Sequence, residues 1–221
     1  MVAVKNHKYG ADNPKAQLQR TITLDQANKS PTVCHPLHLF DCCPTSDGAS
    51  AAILCNAEIA GKFTDTPVQV LGVGAGTDRL ALFQREDFTT LKATERAAKQ
   101  AYEMAHLDPK DINFAEVHDC FTIAEILAYE DLGFCKKGEG GKLIEEEQTY
   151  IGGRIPVNAS GGLKAKGHPI GATGVGQIYE IVNQLRGETD KKTRQVPNAR
   201  VGLAHNIGGS GATATVHILG R

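Results

Sequence analysis

From Thr90 to the last residue the apolar pattern changes period several times, and this succession restricts the fold more than any other feature of the chain. In "TTLKATERAAKQAYEMAHLDP", Ala97, Ala101, Met104 and Ala105 fall on one helical face, with Thr90 as the N-cap and Asp108-Pro109 as the stop. "INFAEV" predicts a strand from Ile112 to Val117. Thr122-Ile-Ala-Glu125 has capping-box spacing, which predicts a helix over Ile123–Leu132 closed by Gly133. A long loop rich in Gly, Lys and Glu runs from Phe134 to Arg154. A helix striped by Val175, Ile178, Val182 and Leu185 ends at Gly187, and "RVGLAHN" and "ATATVHIL" read as closing strands joined by "IGGSG". Helix, strand, helix, loop, helix, strand, strand is the order of an α/β layered fold.

The region before Thr90 is less regular. Pro14, Pro31, Pro36 and Pro44 punctuate residues 1–45, which read as irregular. Ala49–Cys55 is a buried strand or a buried helix. "VQVLGVGAG" is a β-branched run ending in glycines. Its G-x-G-x-G spacing lacks the dinucleotide register, so the glycines read as a strand-end turn. Net charge is −1, which gives no footprint for nucleic acid or an anionic membrane. No apolar run approaches the roughly 20 residues that span a bilayer. The six cysteines form no C-x-x-C pair, and "MVAVKNHKYGADNP" has no apolar signal core. Reduced thiols in a cytoplasmic setting are the expectation.

Three places share one layout, a polar group at a strand end or tight turn followed by glycines or a helix start. They are His118-Asp119-Cys120, His168 in "KGHPIGATGVG", and His205-Asn206 before "IGGSGA". Such ends are where α/β folds place reactive groups. A thiol at a helix N-terminus is expected to have a lowered pKa, suited to moving a proton near neutrality. Glycines such as Gly208 and Gly209 let a backbone N–H approach a reacting carbonyl. His7, His35, His38, His106 and His217 read as ordinary packed or solvated residues, and His35-x-x-His38 lacks a third ligand for a metal. Lys136, Lys137 and Lys142 read as a solvated loop face.

With "HDCFT", "GHPIGATG" and "HNIGGSGA" in that order, the chain resembles the C-terminal half of a thiolase, of the sterol-carrier-protein-type and archaeal branch. "KNHKYGADNPKAQ", "PLHLFDCCPTSDGASAA" and "LRGETDKKTRQVPNARVGLAHN" extend the resemblance over essentially the whole chain. It implies a tail of the thiolase loop region over 1–45, the last strands of the first half over 46–88, and the C-terminal half over 89–221, with a mixed five-stranded sheet. It implies that His168 activates a nucleophilic Cys and helps bind a thioester oxyanion. His118 would complete that hole, Cys120 would move the α-proton, and the Gly208 N–H would line a second hole. Asp119 would orient its neighbours. Asn206 stands where ordinary thiolases carry a second Cys. Ser46, Gly167 and Gly209 are the positions expected to meet coenzyme A.

None of the six cysteines has the context of the acylated nucleophile, which thiolases carry in the first half. The expectation is therefore a split enzyme, or a piece of a longer one, completed by an N-terminal thiolase half. The strand-forming runs "SAAIL" and "VQVLGV" would leave exposed edges until paired. Family resemblance adds a homo-oligomer and a small zinc-containing OB-fold acyl-CoA-binding protein as partners, acyl-CoA as substrate, and no bound cofactor or metal. The activities it implies are thiolysis of 3-ketoacyl-CoA or the reverse Claisen condensation. A thiolase-like aldolase on acyl-CoA side chains and a non-catalytic acyl-CoA-binding subunit are the alternatives.

Overall fold

The computed structural model describes residues 1–221. In chain order the elements are α1 (Val2–Ala11), α2 (Leu24–Asn28), a small hairpin of β1 (Thr32–Cys34) and β2 (Leu37–His38), α3 (Ala57–Ala60) and β3 (Gln69–Thr77). They continue with α4 (Lys92–Ala105), β4 (Phe114–Glu116), α5 (Thr122–Asp131), α6 (Gly140–Glu145), α7 (Gly162–Lys166), α8 (Thr173–Arg186), β5 (Val201–Gly208) and β6 (Thr213–Gly220).

The main sheet has the order β3-β6-β5-β4, with β3/β6 and β6/β5 antiparallel and β5/β4 parallel. It is mixed, as expected, but has four strands rather than five; a fifth segment touches β4 only through a single parallel bridge between Ala115 and Val157. Alternate residues along each strand face opposite sides. Ala115, Leu203, Val216 and Ile218 pack with Ala97, Ala101, Tyr129 and Leu132 of α4 and α5 in the larger core. Phe114, Ala204 and Leu219 pack with Ile181 and Leu185 of α8 in the smaller one. The molecule is thus layered helix, sheet, helix.

Four local expectations are corrected. First, "GVGAG" is not a strand-end turn. Gly72, Gly74 and Gly76 lie inside β3, and a Cβ at each would sit 2.2, 1.9 and 2.1 Å from the carbonyl oxygens of Ala101, Ala97 and Ala93. Only a strand bare on that face admits α4 so closely, and the matching face of α4 is alanine. Second, β3 belongs to the same sheet as β5 and β6, not to a separate unit over 46–88, because its full ladder is to β6. Third, Ala49–Cys55 forms neither strand nor helix, and Ile53 is 98% exposed. An apolar run becomes a strand only against a paired neighbour, and this chain offers it none. Fourth, residues 1–45 are not irregular throughout. The helix α1 buries Val2, Lys5, Asn6, His7 and Tyr9, and the loop after Phe134 contains α6 with Leu143 and Ile144 buried.

Neither anticipated cap forms. Leu91 is the N-cap of α4, and its N–H donates to Asp131 Oδ2 at 2.9 Å while the Thr90 hydroxyl donates to Asp87. At α5 the N-cap is Phe121; Thr122 donates to Asp41 Oδ1 at 2.7 Å, and Glu125 turns into the interior. Gly133 and Gly187 stand where helix ends were expected, both with positive φ.

Gly74→Val is expected to lower stability by roughly 3 kcal/mol, because the clash is with backbone that cannot rotate away. Gly61→Ala, with nothing near its Cβ position, is expected to stay within about 0.5 kcal/mol. Urea denaturation of the two variants beside the parent chain measures the difference.

Candidate active site

A buried polar cluster sets the floor of the site. Lys5 Nζ of α1 pairs with Glu125 Oε1 of α5 at 2.7 Å, both side chains fully buried. Asn6 Nδ2 donates to Glu125 Oε2 and to Asp119 Oδ2, each at 2.7 Å. Asn158 Nδ2 donates to Glu125 Oε2 at 2.6 Å and Tyr129 O–H donates to Oε1, while Asn158 Oδ1 accepts the Val117 N–H at 2.8 Å. Lys5 also donates to the Val157 carbonyl. A buried carboxylate persists only when so paired. The capping-box spacing concealed Glu125's role, and Lys5 and Asn6 lay in residues read as irregular.

Above this floor sits His118-Asp119-Cys120. Asp119 is fully buried, and its Oδ1 accepts the Leu163 N–H at 2.6 Å while Oδ2 accepts the Lys164 N–H at 3.2 Å. It thereby ties the turn after β4 to α7. Gly162, at φ +58°, leaves room for that carboxylate, which a Cβ would meet at 2.3 Å. Burial, with Glu125 nearby, raises the Asp119 pKa. Lys164 is buried beside it and donates to the Cys42 carbonyl.

His118 and His168 stack edge to face with ring centroids 4.8 Å apart. Burial and the neighbouring His168 push His118 down to about 4, and burial lowers His168, so both imidazoles are neutral at pH 7. The Thr173 hydroxyl donates to the Pro169 carbonyl at 3.0 Å and therefore accepts from His168 Nδ1–H at 2.6 Å. That leaves the His168 Nε2 lone pair free. His118 Nδ1 is buried without a partner. An orphaned acceptor is tolerated better than an orphaned N–H, which places the His118 proton on Nε2. Ser46 Oγ accepts the His168 N–H at 2.8 Å and lies against Gly167, whose φ of +111° suits glycine.

Cys120 differs from expectation. Its thiol is pushed up to about 12, by burial first and then by Asp119 and Cys43. Phe121 stands between it and the helix, and no cation offsets the burial, so the helix end does not activate it. On β5, His205 is fully buried with Nε2 2.9 Å from Thr94 Oγ1 of α4, and burial followed by His118 lowers it to about 3. Asn206 Nδ2 donates to Gln177 Oε1 at 2.9 Å, linking the strand end to α8. Gly208 ends β5, and Gly209, at φ +58°, begins the hairpin into β6 with open space at its Cβ position. Of the anticipated residues, His118, Asp119, Cys120, His168, Ser46 and Gly167 are thus joined by contacts or sequence adjacency. Asn206 reaches α8 through Gln177, and Gly208 and Gly209 follow on the strand carrying His205. Of the histidines read as ordinary, His7 is fully buried, its Nδ1 3.1 Å from the Arg20 carbonyl oxygen. Lys137 pairs with Asp131 at 2.7 Å instead of standing free in solvent.

The residues 74–221 match the family model "Thiolase C-terminal domain-like", and the chain belongs to the thiolase family. An acetyl-CoA acetyltransferase of Methanothermobacter thermautotrophicus is 53% identical over 221 residues, 100% of this chain and 57% of the relative. A sterol carrier protein 2 of Oryctolagus cuniculus is 41% identical over 222 residues, 98% of this chain and 40% of the relative. Among solved structures, the "Ltp2-ChsH2(DUF35) aldolase" superposes with a TM-score of 0.87 at 31% identity, over 100% of this chain and 57% of that one. The chain therefore spans 57% or less of the length of these relatives. No helix is long and apolar enough to cross a membrane.

Lys5→Met strands the Glu125 carboxylate in the interior and is expected to cost about 3–5 kcal/mol. Lys5→Met with Glu125→Gln should recover part of that loss in the same denaturation experiment. A group held neutral by burial, as His205 is, favours the unfolded chain as pH falls from 6.5 toward about 3, because only the unfolded chain takes up the proton there. Asp119, whose pKa is raised, acts in the opposite sense as pH rises above 3.8. The difference between parent and His205→Gln isolates the histidine: the parent should lose more stability between pH 7 and pH 5 than the variant, read from urea midpoints.

Proposed function

We propose that this chain is the acid–base part of a thiolase-type acyltransferase, acting on 3-ketoacyl-CoA in thiolysis or on acyl-CoA in Claisen condensation. The nucleophilic Cys is supplied by an N-terminal thiolase half, in the same polypeptide or another. The observation that carries the reading is the edge-to-face His118–His168 pair, with His168 Nδ1 held by Thr173 and His118 Nδ1 without a partner, and with Cys120 two residues beyond His118 in the chain. The acetyl-CoA acetyltransferase and sterol carrier protein 2 relatives support it.

The chemistry follows from the protonation states. His168 Nε2 takes the proton of the nucleophilic Cys and, once protonated, donates to the thioester oxyanion. His118 Nε2–H is the second donor to that oxygen. Each donor, fixed before charge develops, contributes on the order of 100- to 1000-fold. When the nucleophilic Cys has added to the 3-keto carbon, the C2–C3 bond breaks, the acyl group stays on that Cys as a thioester, and the departing acyl-CoA enolate takes the proton of the neutral Cys120 thiol at its α-carbon. Condensation runs the same step backwards. The Gly208 N–H is assigned to a second oxyanion hole near Asn206, and Ser46, Gly167 and Gly209 to the surface met by coenzyme A.

A second reading has one specific support, the aldolase that superposes at 31% identity and whose name pairs it with a DUF35 component. Retro-aldol cleavage needs no acyl-Cys and would use the same enolate stabilisation. A DUF35-type partner is proposed for this chain on the same ground.

Intact-mass analysis of the natively purified protein after brief exposure to a 3-ketoacyl-CoA separates the readings. A thiolase gives an acyl adduct on a Cys outside residues 1–221; an aldolase releases an aldehyde or ketone and no adduct. Cys120→Ala is expected to slow α-proton exchange of acyl-CoA with solvent deuterium at least about 100-fold while sparing acylation. His168→Ala should slow both. Survival of exchange in Cys120→Ala removes its role.

A further inference from the structure

The segment before the N-terminus of α5 brings two thiols together. Cys42 forms an isolated antiparallel bridge with Phe121, and the Cys43 N–H donates to the Cys120 carbonyl at 2.9 Å. Cys42 and Phe121 are thus the close, non-bonded pair of this isolated bridge, and one step along the chain Cys43 faces Cys120, joined to it by that single backbone hydrogen bond. Residues opposed in that way have Cα atoms about 5.5 Å apart and side chains on the same face. A disulfide spans roughly 4.4–6.8 Å between Cα atoms, with most near 5.5–6 Å. Cys43 is near enough to be one of the groups raising Cys120, and both cysteines are half-buried and unpaired. Cys42, the chain neighbour, alternates to the other face, and its Sγ lies 3.5 Å from the His38 carbonyl oxygen.

We propose that Cys43 and Cys120 form a reversible disulfide that withdraws Cys120 from proton transfer. The link itself follows from the backbone bridge; its effect on catalysis rests on the role given to Cys120 under Proposed function. The oxidant is a small-molecule disulfide. One cysteine, as thiolate, attacks it and expels one small thiol, leaving a mixed disulfide; the second cysteine attacks that bond and expels the other. The two protein thiols lose two electrons, the small disulfide gains them, and the two protons leave on the released thiols. Because burial keeps Cys120 and Cys43 protonated, the exchange is slow near neutrality and accelerates with rising pH.

The test treats the reduced chain with oxidised glutathione at pH 8 and pH 9, blocks remaining thiols by alkylation and maps links by fragment mass analysis without reductant. The expected result is one intramolecular link, Cys43 to Cys120, formed faster at pH 9 and reversed by dithiothreitol. Cys43→Ser should abolish it, and Cys42→Ser should leave it intact. No link, a link through Cys42, or the same mixture of links in urea-unfolded chain overturns the disulfide. In protein carrying both thiolase halves, oxidation should suppress α-proton exchange and dithiothreitol should restore it. A mapped Cys43–Cys120 link with undiminished exchange overturns the catalytic effect and the Cys120 assignment, and leaves the disulfide standing.

Discussion

A fully buried ammonium–carboxylate pair, Lys5 with Glu125, is the contact on which the arrangement of the site depends. Taking two charges out of water costs several kcal/mol per ion unless every remaining lone pair and proton is satisfied. Here Asn6, Asn158 and Tyr129 satisfy the carboxylate, and the same Asn6 amide reaches Asp119. The requirement to complete that network joins α1, β4's end, α5 and the segment before α7. A single polar cluster therefore determines where the turn carrying His118 and Cys120 lies.

The site built on it is electrically quiet. Both histidines are neutral, the cysteine holds its proton, and the one carboxylate in the turn is occupied with backbone N–H groups. Such a site has directional donors and acceptors but little fixed charge. It suits a reaction whose charge appears transiently on a carbonyl oxygen, and it does not depend on an ion waiting in the resting state. Thr173 makes the polarity directional by fixing which nitrogen of His168 bears the proton.

The sequence carried the alternation of helices and strands from Thr90 onward, because those elements have one apolar face and a period that shows it. His118, Cys120 and His168 were legible because they stand at strand or turn ends marked by glycine and proline. What escaped was the part governed by burial. α1 hides its polar face, so Lys5, Asn6 and His7 gave a helix no apolar stripe. Thr122-x-x-Glu125 matched a capping box while its glutamate was claimed by an interior partner. The direction of the Cys120 shift follows from the burial of the turn first, then from Asp119 and Cys43, none of which spacing along a chain conveys. The glycines of β3 looked like a turn because alternate small residues signal a bend and a close helix contact equally well.

That helix contact has a consequence for how the protein can vary. Where Gly72, Gly74 and Gly76 of β3 meet Ala101, Ala97 and Ala93 of α4, the contact is main chain against main chain. Substitutions there can disrupt the spacing but offer no gradual means of adjusting it. Thr94 on the same helix meets His205, so the position of β5 relative to α4 is held by a joint without a set screw. Variation is left to loops such as the one bearing Gly209, where a side chain would meet open space.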